Sequence, residues 1–160
     1  MKVLNKVVIG MAALVLLTAC GPSKCSFEKF SEEARAAAEK DPGYNKVVVK
    51  GTVKGSTAGI SAEVKLNHTF AKDEDGDWEM TDGEVLTATM ALGYASMRAV
   101  MLCGDEAEED ATYYCGNGFK VVGKNEDSSA TLKFDSYGYL TSMKGKDKGS
   151  DVDVTVKWSK

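Results

Sequence analysis

The stretch ISAEVKLNHTF, residues 60–70, alternates without a break. Ile60, Ala62, Val64, Leu66, His68 and Phe70 fall on one side of an extended chain, and Ser61, Glu63, Lys65, Asn67 and Thr69 on the other. A period of two marks a strand with one covered face and one wet face. Such strands belong to antiparallel sheets that cover something on one side only. Upstream, residues 44–54 repeat the pattern, with Val47, Val49 and Val53 set against Lys50, Thr52 and Lys54. Gly55-Ser56-Thr57-Ala58-Gly59 joins the two strands as a turn. Downstream, Asp73 to Gly76 contains the Asp-Gly pair of a hairpin turn, and a short strand around Trp78 and Met80 follows.

What the sheet covers is read from residues 83–103, GEVLTATMALGYASMRAVMLC. Thr81 and Glu84 have capping-box spacing, which starts a helix near Asp82. Leu86, Met90, Tyr94, Met97 and Met101 form a bulky stripe, with Thr87, Ala91, Ala95 and Ala99 as a small one beside it. A helix apolar on nearly all sides is expected to be buried. Gly93, Arg98 and several hydroxyls argue against a membrane span. Ser26 to Lys40 reads as an N-terminal helix capped by Ser26, with Phe27, Phe30, Ala34, Ala37 and Ala38 on one face and Asp41-Pro42-Gly43 ending it. The C-terminal third supplies four strands: 119–123, the pair 130–135 and 139–144 around Ser136-Tyr137-Gly138, and 151–158. The expected fold is therefore α+β: a curved antiparallel sheet of about seven strands, an N-terminal helix and a buried central helix. At fold level this order resembles the half-barrel of the periplasmic lipoprotein carriers and their mycobacterial lipid-binding relatives. It also suits a cystatin-like or nuclear-transport-factor-like cone, in which a helix packs into a bent sheet.

Residues 1–19 have a different character. Lys2 and Lys6 precede the uncharged run VVIGMAALVLL, which ends at Leu17-Thr18-Ala19-Cys20. Charge, short apolar core and small residues are the parts of a secretory signal. The run is too short for a helix across about 30 Å of hydrocarbon. Leu-Thr-Ala-Cys resembles the lipobox of bacterial lipoproteins. The resemblance implies cleavage before Cys20, acyl chains on that residue, and a membrane partner reached through them; two or more chains hold stably where one does not. It also implies a place in the bacterial cell envelope. Gly21, where an Asp would favour retention at the inner membrane, points to the outer membrane in a Gram-negative host. The implied organisation is a signal peptide over 1–19, a lipidated tether over 20–25 and one α+β domain over 26–160.

The full chain carries 20 Lys plus Arg, 24 Asp plus Glu and a net charge of −4. Losing residues 1–19 removes two lysines and no acid, so the remainder is more acidic still. Phosphate contacts need clustered cations, so nucleic acid is not an expected partner. The exported compartment is oxidising, and Cys25, Cys103 and Cys115 follow Cys20. Cys103 and Cys115 bracket an acidic segment and are the expected disulfide; Cys25 is left free, or pairs with Cys103 if the first helix packs near it.

No catalytic constellation emerges. His68, the only histidine, falls on the apolar face of its strand, and no nucleophile elbow accompanies it. One histidine and separated cysteines make no zinc set. Asp73, Asp75 and Asp77 alternate like part of a calcium loop but read as a solvated hairpin tip. The acidic run 105–110 reads as a soluble loop, and Cys25 lacks the basic surroundings of a reactive thiol. No metal, cofactor or enzyme activity is expected. The leading expectation is a lipid-anchored, non-enzymatic interaction module. The alternative is a carrier of an apolar or lipid-like ligand held between the sheet and helix 83–103, with Met80, Met90, Tyr94, Met97 and Met101 as candidate ligand contacts because methionine adapts to irregular apolar shapes.

Overall fold

The structure is a computed structural model that describes residues 21–57 and 60–160 of the 160-residue chain. The expected signal peptide and Cys20 lie outside the described residues, as does the middle of the turn at 58–59. The elements run β1 (Ser23–Cys25), α1 (Phe27–Ala38), β2 (Lys46–Thr57), β3 (Ile60–Lys72), β4 (Trp78–Asp82), α2 (Val85–Ser96), a 3₁₀ turn (Ala99–Leu102), β5 (Ala111–Cys115), β6 (Phe119–Lys124), β7 (Ser129–Phe134), β8 (Leu140–Asp147) and β9 (Ser150–Ser159). The strands form one nine-stranded sheet in the order β1-β5-β6-β7-β8-β9-β2-β3-β4. Every neighbouring pair is antiparallel. The sheet stays open, with β1 and β4 as its edges. The fold is α+β, as expected.

Two strands exceed the expected seven. Ser23–Cys25 falls where a tether was expected, and Ala111–Cys115 falls inside the expected disulfide loop. Three residues cannot display a period, and Ala111–Cys115 sits beside an acidic run that reads as loop. The remaining strands follow their alternation, except that the start of β3 is uncovered on both faces, with Ala62 exposed and Ile60 76 % exposed. Val47 faces Phe70, Val49 faces His68 and Val53 faces Val64 across β2 and β3, and Val156 and Val154 of β9 continue the inward face opposite Val49 and Gly51. Lys50, Lys65, Asn67, Asp153, Thr155 and Lys157 keep the other face wet.

Helix α1 starts as its sequence requires: the Ser26 hydroxyl accepts the Lys29 N–H at 3.3 Å. Phe30, Ala34 and Ala37 are buried. The Phe30 ring lies 5.1 Å from Tyr113 and 5.6 Å from Phe119, so α1 is keyed into β5 and β6 by aromatic contacts.

The disulfide differs from the expectation. Cys25 bonds to Cys115, with Cα atoms 6.1 Å apart and a sequence separation of 90, and Cys103 is a free thiol. Strand pairing explains it. β1 lies on β5 with Ser23 opposite Cys115 and Cys25 opposite Tyr113, so Cys25 and Cys115 are diagonal neighbours on one face. Cys103 instead ends the 3₁₀ turn, its Sγ 3.9 Å from the Ser31 carbonyl oxygen of α1.

The central helix differs too. It spans Val85–Ser96 rather than 83–103, and its N-cap, Glu84, makes no side-chain cap. Thr81 belongs to β4, where its hydroxyl donates to the Thr69 carbonyl. Past Ser96 the chain extends, because backbone bonds to the β7–β8 turn capture it: Leu140 N–H to Met97 O at 3.2 Å and Ala99 N–H to Gly138 O at 2.8 Å. Nor is the helix buried all round. The small stripe Ala91, Ala95 and Ala99 meets the core, while Val85 is 80 %, Leu86 93 % and Met90 40 % exposed. Small side chains let the helix axis approach the sheet closely, which turns the bulky stripe outward.

Strand direction gives the sheet two ends. β1 begins at the end shared by the starts of β6 and β8 and by Trp158 near the end of β9. We call this the tether end, after the tether expected at residues 20–25. The opposite, open end carries the β6–β7 and β8–β9 turns.

Candidate functional site

Two concavities occupy opposite ends of the inward face. At the open end, register lines up a row across the sheet: Ala111 opposite Gly123, Gly123 opposite Ala130, Ala130 opposite Gly145, and Gly145 opposite Val152. Four of these five residues carry nothing beyond a Cβ. One step deeper lie Tyr113, Val121, Leu132, Met143 and Val154. The missing side chains leave a groove of about 430 Å³, lined by Val121, Leu132, Met143 and Val152 and floored by Gly123, Ala130 and Gly145. Asn125, Ser128, Lys146, Asp147 and Ser150 stand around its mouth. A Cβ placed on Gly123 would meet nothing within 4 Å. Gly123 is therefore not there to let two backbones close up; its effect is space. Glycine in a strand interior weakens the strand, and open apolar surface forgoes about 25 cal/mol per Å² of burial. The volume falls within the usual range for small-molecule sites, about 300–1,000 Å³.

At the tether end the same face is filled by rings. Trp158 stacks on Tyr44 at 5.5 Å and meets Tyr139 at 4.8 Å and Trp78 at 5.9 Å. Its indole N–H donates to the Leu140 carbonyl at 2.9 Å. The Tyr44 hydroxyl donates to Asp135 Oδ2 at 2.7 Å, while Asp135 Oδ1 accepts the Tyr137 and Tyr139 N–H groups at 2.9 and 3.0 Å. Burial, reinforced by the Asp135 carboxylate, pushes the Tyr44 phenol well above its ordinary range. Beside these rings lies a smaller cavity of about 210 Å³, lined by Tyr44, Val47, Trp78, Leu92, Ala95, Tyr139 and Trp158 and by Asp41, Lys72, Ser96 and Arg98.

The candidate ligand contacts read from the sequence do not converge. Met80 and Met97 are half-buried against the core. Tyr94 is also half-buried, and burial raises its phenol. Met90 and Met101 are exposed, at 40 % and 66 %. None of the five lines the groove or the aromatic cavity. The groove residues were missed because Gly123, Ala130 and Gly145 come together only through register; small residues at inward positions of three successive strands are the signal that finds them.

The remaining candidates have structural roles. His68 is 1 % exposed; its Nε2 shares a hydrogen bond with the Thr87 hydroxyl at 2.8 Å, joining β3 to α2. Gly83 lies against the His68 ring so closely that a Cβ would collide with it. Asp73 Oδ1 accepts the Asp75 and Asp77 N–H groups, both at 2.9 Å, and so closes its own hairpin. Among the described residues no three His, Cys, Asp or Glu side chains gather as a metal site, and no helix is long and apolar enough to cross a membrane.

No known protein-family model matches the chain. No curated protein matches its sequence.

Proposed function

We propose that the chain is a bacterial envelope protein, anchored by acyl chains on Cys20, that works without catalysis as an interaction module for an apolar, chain-like ligand seated in the open-end groove. The groove carries this reading: the fold gives up side chains at Gly123, Ala130 and Gly145, where continuous packing would stabilise it. The site differs from the place first expected for such a ligand, between the sheet and helix 83–103, because α2 packs its alanines directly on the strands. β1 enters at the other end, so the groove mouth faces away from the anchor and is open to material arriving from the aqueous side.

A second reading rests on Val85 and Leu86, both exposed at the start of α2. Exposed apolar side chains there suit docking of a protein partner. Native mass spectrometry of the mature protein purified from membranes tests the proposal. The expected spectrum shows an acylated N-terminal Cys20 and a population heavier by a releasable lipid. Protein carrying neither acyl chains nor a bound lipid would overturn it.

A further inference from the structure

The tether-end cavity does not belong to the groove, and its chemistry is different. Arg98 leaves the end of α2 and lies flat on Tyr139, its guanidinium carbon 3.7 Å from the ring centre. One amino group donates to the Tyr137 carbonyl at 3.0 Å, but the buried Nε has no hydrogen-bond partner. A guanidinium has five N–H donors, and Nε is shut away from solvent, so the terminal amino groups are the ones that can meet a ligand in the cavity. Lys72 stands on the other wall, its ammonium 5.5 Å from the Trp78 ring centre. Neither cation makes an ion pair among the described residues. The nearby acids are occupied elsewhere: Asp135 holds Tyr44 and its own turn, and Asp41 Oδ1 accepts the Gly43 N–H at 2.7 Å. The lining thus carries two cations against one acid.

We infer that this cavity is a phosphate site, in which Arg98 and Lys72 hold the oxyanion and the Tyr44, Tyr139 and Trp158 rings support the group that bears it. Guanidinium is the cation best matched to phosphate oxygens, and stacking on Tyr139 fixes its plane in advance. About 210 Å³ is less than drug-sized ligands occupy, so the site takes a head group rather than a whole lipid. The phosphate has two sources: a phospholipid head, favoured by the position at the tether end, or a free phosphorylated solute. Tryptophan and tyrosine at head-group depth suit the first.

The chain has two tryptophans, and both line this cavity, so their fluorescence reports on it directly. The experiment titrates the purified protein, in neutral maltoside micelles, with inorganic phosphate, then with phosphatidylglycerol added to the micelles, and with sodium chloride at matched ionic strength. The readout does not depend on whether Cys20 is acylated or the groove is filled. The expected result is a saturable tryptophan change with phosphate or phosphatidylglycerol, absent with chloride, and weakened about tenfold in Arg98→Gln and in Lys72→Ala. Response to phosphatidylglycerol alone assigns the lipid source; response to both assigns a general phosphate site. Lys72 is exposed at a strand end, so its variant keeps the fold if Arg98→Gln does not. No saturable change with either ligand, or an unchanged response in a folded Lys72→Ala, overturns the inference.

Discussion

The two ends of one sheet face solve the same packing problem in opposite ways. At the tether end, Phe30, Phe119, Phe134, Leu140, Val49 and Phe70 are buried beneath or beside the helices. At the open end, the strands continue with their alternation intact, but Gly123, Ala130 and Gly145 stand where bulky residues would complete the core. The glycines show how far the difference goes. Gly51 sits opposite Val154 in the middle of the face, and a Cβ there would collide with the Asp153 carbonyl and the Val154 backbone. Gly123 is bounded by nothing. One glycine exists for close approach and the other leaves room, and only the second kind makes a binding site.

The sharpest way to break this comparison is to add side chains at both glycines. Gly51→Ala forces backbone apart across β2 and β9, with an expected loss of about 3 kcal/mol or failure to fold, read by urea denaturation. Gly123→Leu should change stability by less than about 1 kcal/mol, because it fills existing space. Equal losses at the two sites would erase the distinction between them.

The disulfide tests how much the tether end depends on its edge strand. Replacing Cys25 with Ala opens a loop of 90 residues and should cost about 2–4 kcal/mol, seen as a lowered denaturation midpoint. Cys103→Ser should leave the disulfide intact in a non-reducing peptide map. A map linking Cys103 to Cys115 would contradict the β1–β5 pairing.

The smallest expected effect concerns Tyr44. Its phenol stays neutral in the folded protein above the pH at which the unfolded chain ionises, about 10. The folded state then binds more protons than the unfolded one, so stability falls as pH rises past 10. Tyr44→Phe should cost about 1 kcal/mol at neutral pH through the lost bond to Asp135, and should flatten the alkaline fall of the thermal midpoint. An unchanged alkaline slope would remove Tyr44 from the account.

Much of the fold was legible before any coordinates. The alternation of residues 64–70 and 151–158 survives as the covered part of β3 and as β9, while Ile60 at the start of β3 is exposed, and Ser26 caps α1 at the expected position. What failed has physical causes. Residues 83–103 are apolar on nearly every side, so composition alone indicates burial. Contact with the sheet is decided by size, and Ala91, Ala95 and Ala99 win it. Proximity in sequence favoured Cys103 and Cys115, whereas the actual pair is brought together by a strand of three residues. The groove was illegible because it exists in no single segment: each of β6, β7 and β8 contributes one small residue, and only their register makes a row. The aromatic cavity is dispersed in the same way, from Tyr44 to Trp158.

The central claim is that the glycine–alanine row makes a ligand site rather than a packing fault. Titrating a fluorescent long-chain fatty acid into delipidated wild-type protein and into Gly123→Leu, with thermal melts of both, measures this directly. Saturable binding in the wild type, lost in the variant while its melting temperature holds or rises, is the predicted result. Equal binding by the two proteins, or none by the wild type, would contradict it.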